Sequence, residues 1–291
     1  VTKPRCVLPG VVYLLTRRCS ERRFFLRPDP TVTWVFEYLL GLLSKQYGIA
    51  IHAYVVMSNH YHLVVTDTEG RLPDFQRDLN SLLARSINAF RGRWDSFWDR
   101  KSYNRVKLLE DRDVIRKMGY TLTNPVEARL VNRARQWEGA TSAGMVFGRA
   151  RQIARPDRFF SESMPEVVEL EITRPESGDG LSDEEFLARV EADVARREAK
   201  HAKRGKAMGM DRVMKQDWRA SPESFELRRG LQPTIAGANK WARIEALQRS
   251  KEWLQDYRAA LERFVAGVRD VVFPAGTWWM CARLGCRVAI E

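Results

Sequence analysis

The run from Ile49 to Asp67 restricts the fold more than any other part of the chain. Ile49 to Met57 is apolar with β-branched residues, Ser58-Asn59 is a short polar break, and His60 to Asp67 resumes the apolar run. Two such runs around a tight turn read as a β-hairpin. Along a strand, residues i and i+2 share a face, so His60 and His62 emerge side by side while Tyr61, Leu63 and Val65 face the other way. Only four histidines occur in the chain, and two at this spacing suit a paired-imidazole metal site. A half-buried strand with hydrogen-bonded histidines fits the same pattern, and a short motif leaves both readings open.

The flanking segments extend the sheet. Val11 to Thr16 reads as a first strand, bounded by Pro9-Gly10 and the polar Arg17-Arg18-Cys19-Ser20. Asp29-Pro30 starts a helix whose Val35, Leu39, Leu42 and Leu43 keep helical spacing until Gly48. Phe75, Leu79, Leu82, Leu83, Ile87 and Phe90 form the stripe of a second helix ended by Gly92, with Arg77, Arg85 and Arg91 on its other face. Ser102 to Leu108 alternates as a fourth strand, placing Arg105 and Lys107 opposite Val106 and Leu108, and Asp113 is expected to cap a third helix to about Thr123. Strand, helix, strand, strand, helix, strand and a further helix make an α+β chain. The order is that of a ferredoxin-like antiparallel sheet with helices on one face and the histidine strand central.

After residue 150 the pattern changes. We expect a first domain over 1–150 and a mainly helical C-terminal extension over 151–291. The Pro-, Gly-, Ser- and acid-rich stretch 161–183 reads as an exposed linker. Ser182 and Glu185 fit a capping box for a helix reaching about Lys203, with Phe186, Leu187, Val190 and Val194 as its apolar stripe. Trp241 to Val268 reads as a long amphipathic helix carrying Ile244, Leu247, Leu254 and Leu261.

Charge says where an anion would bind. Of a net +12, residues 1–150 hold 24 Lys and Arg against 14 Asp and Glu, while the remainder hold 25 against 23. The first half is therefore the better candidate for a nucleic-acid partner. Cys6, Cys19, Cys281 and Cys286 lie near the two ends without a Cys-x-x-Cys pair, so reduced thiols are expected. No segment resembles a signal-peptide core or a membrane span, and a cytoplasmic location is expected.

A second stretch, Gly119 to Ala128, bears on the histidine pair. On a helix Tyr120 and Asn124 share a face, and if that face meets the histidine strand a phenol and an amide converge on two imidazoles. Taken alone, Tyr120 reads preferentially as an amphipathic core residue, and Asn124, before Pro125, as an N-cap or a helix end.

Together, Val56-Met57-Ser58-Asn59-His60-Tyr61-His62-Leu63-Val64-Val65 and Tyr120 with Asn124-Pro125-Val126 and Ala128-Arg129-Leu130-Val131 resemble the two motifs of single-tyrosine HUH transposases, in the form seen in REP-associated tyrosine transposases. The resemblance covers about residues 10–140. It implies a metal-dependent endonuclease and strand transferase for single-stranded or hairpin DNA, working as a monomer or homodimer through a 5′-phosphotyrosine intermediate. His60, His62 and Asn124 would be the metal ligands and Tyr120 the nucleophile. Two imidazoles and an amide oxygen suit Mg²⁺ or Mn²⁺, and zinc would also accept the imidazoles. Arg85, Arg91, Arg93, Arg105, Lys107, Arg116 and Lys117 are candidate phosphate contacts. Trp94, Phe97 and Trp98 read either as stacking platforms or, preferentially, as core anchors. The alternative from another class is a domesticated, non-catalytic DNA- or RNA-binding protein with the same fold.

Overall fold

The computed structural model describes residues 4–100, 104–176, 180–223 and 233–290. Strands β1 (Val11–Arg18), β2 (Ile49–Met57), β3 (His60–Asp67) and β4 (Asn104–Leu108) alternate with helices α1 (Pro30–Tyr47) and α2 (Leu72–Arg91), followed by α3 (Asp111–Leu122) and α4 (Asn124–Glu127). Residues 102 and 103, expected to begin the fourth strand, lie outside the described residues. Further on come β5 (Arg151–Ala154), β6 (Val167–Leu170), α5 (Asp183–Ala202), α6 (Met210–Lys215), β7 (Ile235–Ala236), α7 (Lys240–Val265), β8 (Val272–Phe273), α8 (Trp278–Leu284) and β9 (Arg287–Val288). The main sheet has the order β2-β3-β1-β4-β7, antiparallel but for the β4–β7 pair. Its first four positions follow the ferredoxin-like order expected, with the histidine strand between β2 and β1. Gly48 and Gly92 end α1 and α2 in the left-handed conformation that glycine tolerates without steric cost.

Helices cover both faces of the sheet rather than one. Tyr61 meets Phe36 of α1, its hydroxyl donates to Asn80 Oδ1 of α2 at 2.9 Å, and Leu63 and Val65 are buried on that side. His62, facing the other way, meets Tyr120 of α3. On this second face Val55 and Met57 pack with Val126, Val131 and Trp137. A strand apolar on both faces needs cover on both, and α3 supplies the second layer. The outer edge of β2 is also closed, by Val56 N–H to Ala140 O, Ser142 N–H to Tyr54 O and Thr173 N–H to Ile51 O. Those bonds satisfy backbone groups that an open edge would expose.

Three further expectations change. The N-cap of α3 is Glu110, not Asp113, which lies buried in the first turn and accepts Ala238 N–H at 2.9 Å. The stretch 161–183 contains β6, and Val168, Leu170 and Ile172 are buried against the first-half core. An exposed linker would leave them in water; instead β6 crosses α1 at Gly41, where a Cβ would run into Glu169 O. Residues 177–179 of that stretch lie outside the described residues. Residue 150 marks no break in packing either, because Phe147, Ile153, Leu170, Phe186 and Val190 share one cluster with β1–β3, α1 and α2.

The capping box at α5 is present, with Glu185 N–H donating to Ser182 Oγ and Ser182 N–H to Glu185 Oε2, and Phe186 and Val190 are buried as the stripe requires. The apolar residues of α7 are different: Trp241, Ile244 and Leu247 stay exposed. No described helix is long and apolar enough to cross a membrane.

Candidate active site

Strand pairing brings the site together. In the β1–β3 register Thr16 stands opposite His62 and Arg18 opposite His60, so all four side chains share the face that α3 covers. His60 Nδ1 pairs with Asn59 Oδ1 at 2.7 Å, and His62 Nδ1 with Thr16 Oγ1 at 2.8 Å. The two imidazole centroids are 4.8 Å apart and nearly perpendicular. His62 is buried, and that burial, with the nearby charges of His60, Arg18 and Lys117, drives its pKa well below the ordinary histidine value. It is a neutral imidazole at physiological pH.

From the helix side, the Tyr120 ring stands 5.3 Å from the His62 ring, edge to face. Helix α3 ends at Leu122, and Thr123 carries the chain into α4 with its hydroxyl donating to Gly119 O at 2.7 Å. This near-continuous turn keeps the buried Asn124 on the side of Tyr120, near enough for its amide to favour the charged form of the phenol. Burial raises the Tyr120 pKa, while the Asn124 amide and the charges of Arg18 and Arg197 pull it back. Lys117 lies 5.3 Å and the Arg197 guanidinium 5.9 Å from the ring centroid. Burial, with Arg197 and Arg116 beside it, lowers the Lys117 pKa. The assembly is a half-buried phenol with an amide one helical turn away on the same side, a neutral imidazole against its ring and cationic side chains around it.

The other basic residues divide sharply. Arg91 is not placed to meet a phosphate: its side chain is 4% exposed and ion-paired to Asp29. A cation this deep needs its carboxylate, and Asp29 lets Arg91 alone be buried while Arg77 and Arg85 of the same helical face stay exposed. Arg93 lies over the Phe25 ring at 3.8 Å and donates to Asn88 Oδ1 at 2.6 Å. Arg105 and Lys107 stand opposite Leu15 and Tyr13, on the face away from His60 and His62, with Arg105 5.2 Å from the Tyr13 ring. Arg85 is exposed on α2, which covers that same far face, and Arg116 is exposed on α3. Only Lys117 of the seven lies against Tyr120. Phe97 and Trp98 are buried, whereas Trp94 is 96% exposed.

Two residues that the sequence did not single out join the site. Arg18 closes the first strand and read as a polar boundary; its alternation with Thr16 along β1 was a usable signal once the β1–β3 register is known. Arg197 arrives from α5, far along the chain, and no local pattern announces it.

No known family profile matches the chain, and no curated protein matches it. Among solved structures it is similar to a REP-associated tyrosine transposase bound to a REP hairpin, with 16% identity and a TM-score of 0.41, over 49% of this chain and 82% of that one. It is also similar to a candidate transposase from Deinococcus radiodurans R1, with 24% identity and a TM-score of 0.29, over 36% of this chain and 85% of that one.

Proposed function

We propose that the protein is a transposase-type endonuclease and strand transferase that acts on single-stranded or hairpin DNA, with Tyr120 as nucleophile. The observation that carries the reading is the convergence of Tyr120 on His62 at 5.3 Å, with Asn124 at the phenol and His60 beside His62. Attack by the phenolic oxygen on phosphorus breaks the bond to the 3′ oxygen. The products are a 5′-phosphotyrosine and a 3′-hydroxyl, the phenolic proton passing to solvent and the departing 3′ oxygen taking one up from it. Attack by a 3′-hydroxyl on that intermediate reverses the step on the same or another strand.

The donor chemistry suits a divalent ion. Both imidazoles use Nδ1 for protein hydrogen bonds, the arrangement that fixes the ring and offers Nε2 as ligand atom. Asn124 can give its N–H to Tyr120 and keep its carbonyl oxygen for the same ion. Among the described residues no three His, Cys, Asp or Glu side chains form a cluster, so the set lacks the thiolates and third imidazole typical of tight zinc sites. Mg²⁺ or Mn²⁺, held by His60, His62 and Asn124, is the fitting choice. Such an ion would polarise the scissile phosphate and orient in-line attack. Arg18 and Lys117 add positive charge where the phenolate and the phosphate meet.

The test is covalent adduct formation between the purified protein and single-stranded or hairpin oligonucleotides with Mn²⁺, read on a denaturing gel. Tyr120→Phe is expected to abolish the adduct, and His60→Ala or His62→Ala to remove both cleavage and its metal dependence. An adduct undiminished in Tyr120→Phe excludes that tyrosine as nucleophile. Salt-sensitive DNA binding with no adduct at all would favour the non-catalytic binding protein.

A further inference from the structure

Helix α5 lies outside the stretch that carries the two motifs, yet it packs directly on α3. Their approach is close: a Cβ on Gly119, the residue before Tyr120, would overlap the Asp193 carboxylate. From the same helix Arg197 reaches across. Its Nε donates to Asp193 Oδ2 at 2.6 Å, one terminal nitrogen to Glu127 Oε1 at 2.7 Å, and the other to Arg116 O at 3.2 Å.

The three acceptors sit on three elements: α5 itself, α4 just beyond Asn124, and α3 one turn before Tyr120. A planar guanidinium with every nitrogen engaged is held in one orientation. Its carbon lies 5.9 Å from the Tyr120 ring centroid. Asp193 is buried and also takes a hydrogen bond from Arg196, so both ends of the link are fixed.

We propose that Arg197 is a positioning residue: by tying α3 to α4 through a rigid fork, it holds Tyr120 against the histidine strand and Asn124 on the same side as Tyr120. The consequence for catalysis rests on the tyrosine-nuclease reading above; the mechanical role does not. Tyr120 and Asn124 straddle the junction at Thr123, where backbone hydrogen bonding passes from one helix to the next. Flexing at that junction would separate phenol from amide without unfolding either helix. Arg197 and Glu127 clamp its far side.

Two readouts on the full chain separate the mechanical role from the catalytic one. With 3-fluorotyrosine at position 120, the fluorine resonance is expected to be single and narrow in the parent protein and broadened or split in Arg197→Met. A resonance equally narrow in both, with the substitution folded by circular dichroism, overturns the proposal. For oligonucleotides from a random-sequence single-stranded library that form adduct with the parent protein, Arg197→Met is expected to slow adduct formation at saturating DNA on the order of tenfold to a hundredfold. Its DNA affinity should stay within about twofold, and Arg197→Lys, which keeps charge but not the fork, should recover only part of the rate. An unchanged saturating rate, or full recovery with lysine, also overturns the proposal. If the parent protein forms no adduct, the nuclease reading fails and the fluorine experiment alone decides. Should Arg197→Met not fold, Glu127→Ala removes one arm of the fork and is judged by the same readouts.

Discussion

His52 offers a quantitative check on how the histidines divide between structure and site. It is 1% exposed on β2, with Nδ1 at 2.7 Å from Thr173 O and Nε2 at 2.7 Å from Thr66 Oγ1. A carbonyl accepts only, so Nδ1 carries the proton and Nε2 accepts from the threonine hydroxyl. Both nitrogens are thereby used by the protein. Burial lowers its pKa from 6.5 to about 4, the bond to Thr173 offsetting part of the effect.

Because the folded value lies below the unfolded one, the unfolded chain takes up a proton first as pH falls. The stability associated with neutral His52 is complete above about pH 6.5 and is lost progressively toward pH 4. At about 1.4 kcal/mol per pKa unit the full loss is about 3 kcal/mol, with about 2 kcal/mol gone by about pH 5. Urea unfolding followed by circular dichroism near pH 7.5 and near pH 5, for the parent protein and His52→Gln, isolates this contribution. Carboxylates and the other histidines titrate in both proteins and cancel in the double difference. The parent should lose about 2 kcal/mol more than the variant on acidification. Equal losses would mean that His52 is not held neutral by burial, and the account of β2 and its contact with Thr173 would fall with it.

Arg91→Met should destabilise the fold by about 3 kcal/mol, since it leaves Asp29 with one of its two arginine partners, Arg27, in a largely buried position. The salt dependence of DNA binding should remain that of the parent, and a reduced salt slope would return Arg91 to the phosphate contacts. Leu170→Ala, at a fully buried position on β6, should cost about 2–5 kcal/mol in urea unfolding and lower a single transition. A separate early transition that leaves the first-half core intact would show instead that β6 is peripheral.

Local chemistry made most of the sheet legible. Apolar, β-branched runs between turn residues marked β1 to β3, helical spacing with Gly48 and Gly92 bounded α1 and α2, and the Ser182–Glu185 pair announced α5. Each depends on neighbours along the chain. The errors arise where distant segments meet: Asp113 looked like a cap until Ala238 supplied its donor, and 161–183 looked like a linker until α1 offered Gly41 for β6 to cross. Arg91 shared a basic helical face with Arg85, and only Asp29 on a separate element made one a buried strut and left the other in solvent.

The histidine pair shows the same division. Its two side chains share a face because strand geometry requires it, and the sequence alone determined that much, together with the nearness of Tyr120 to Asn124 along one helical turn. Tertiary structure decided which layer covers that face, that Tyr120 stands 5.3 Å from His62, and that Arg18 and Arg197 arrive from β1 and α5. Spacing along a strand or helix follows from backbone dihedrals common to all chains. Convergence of residues dozens of positions apart follows from which apolar faces bury one another, and that is a property of the whole fold.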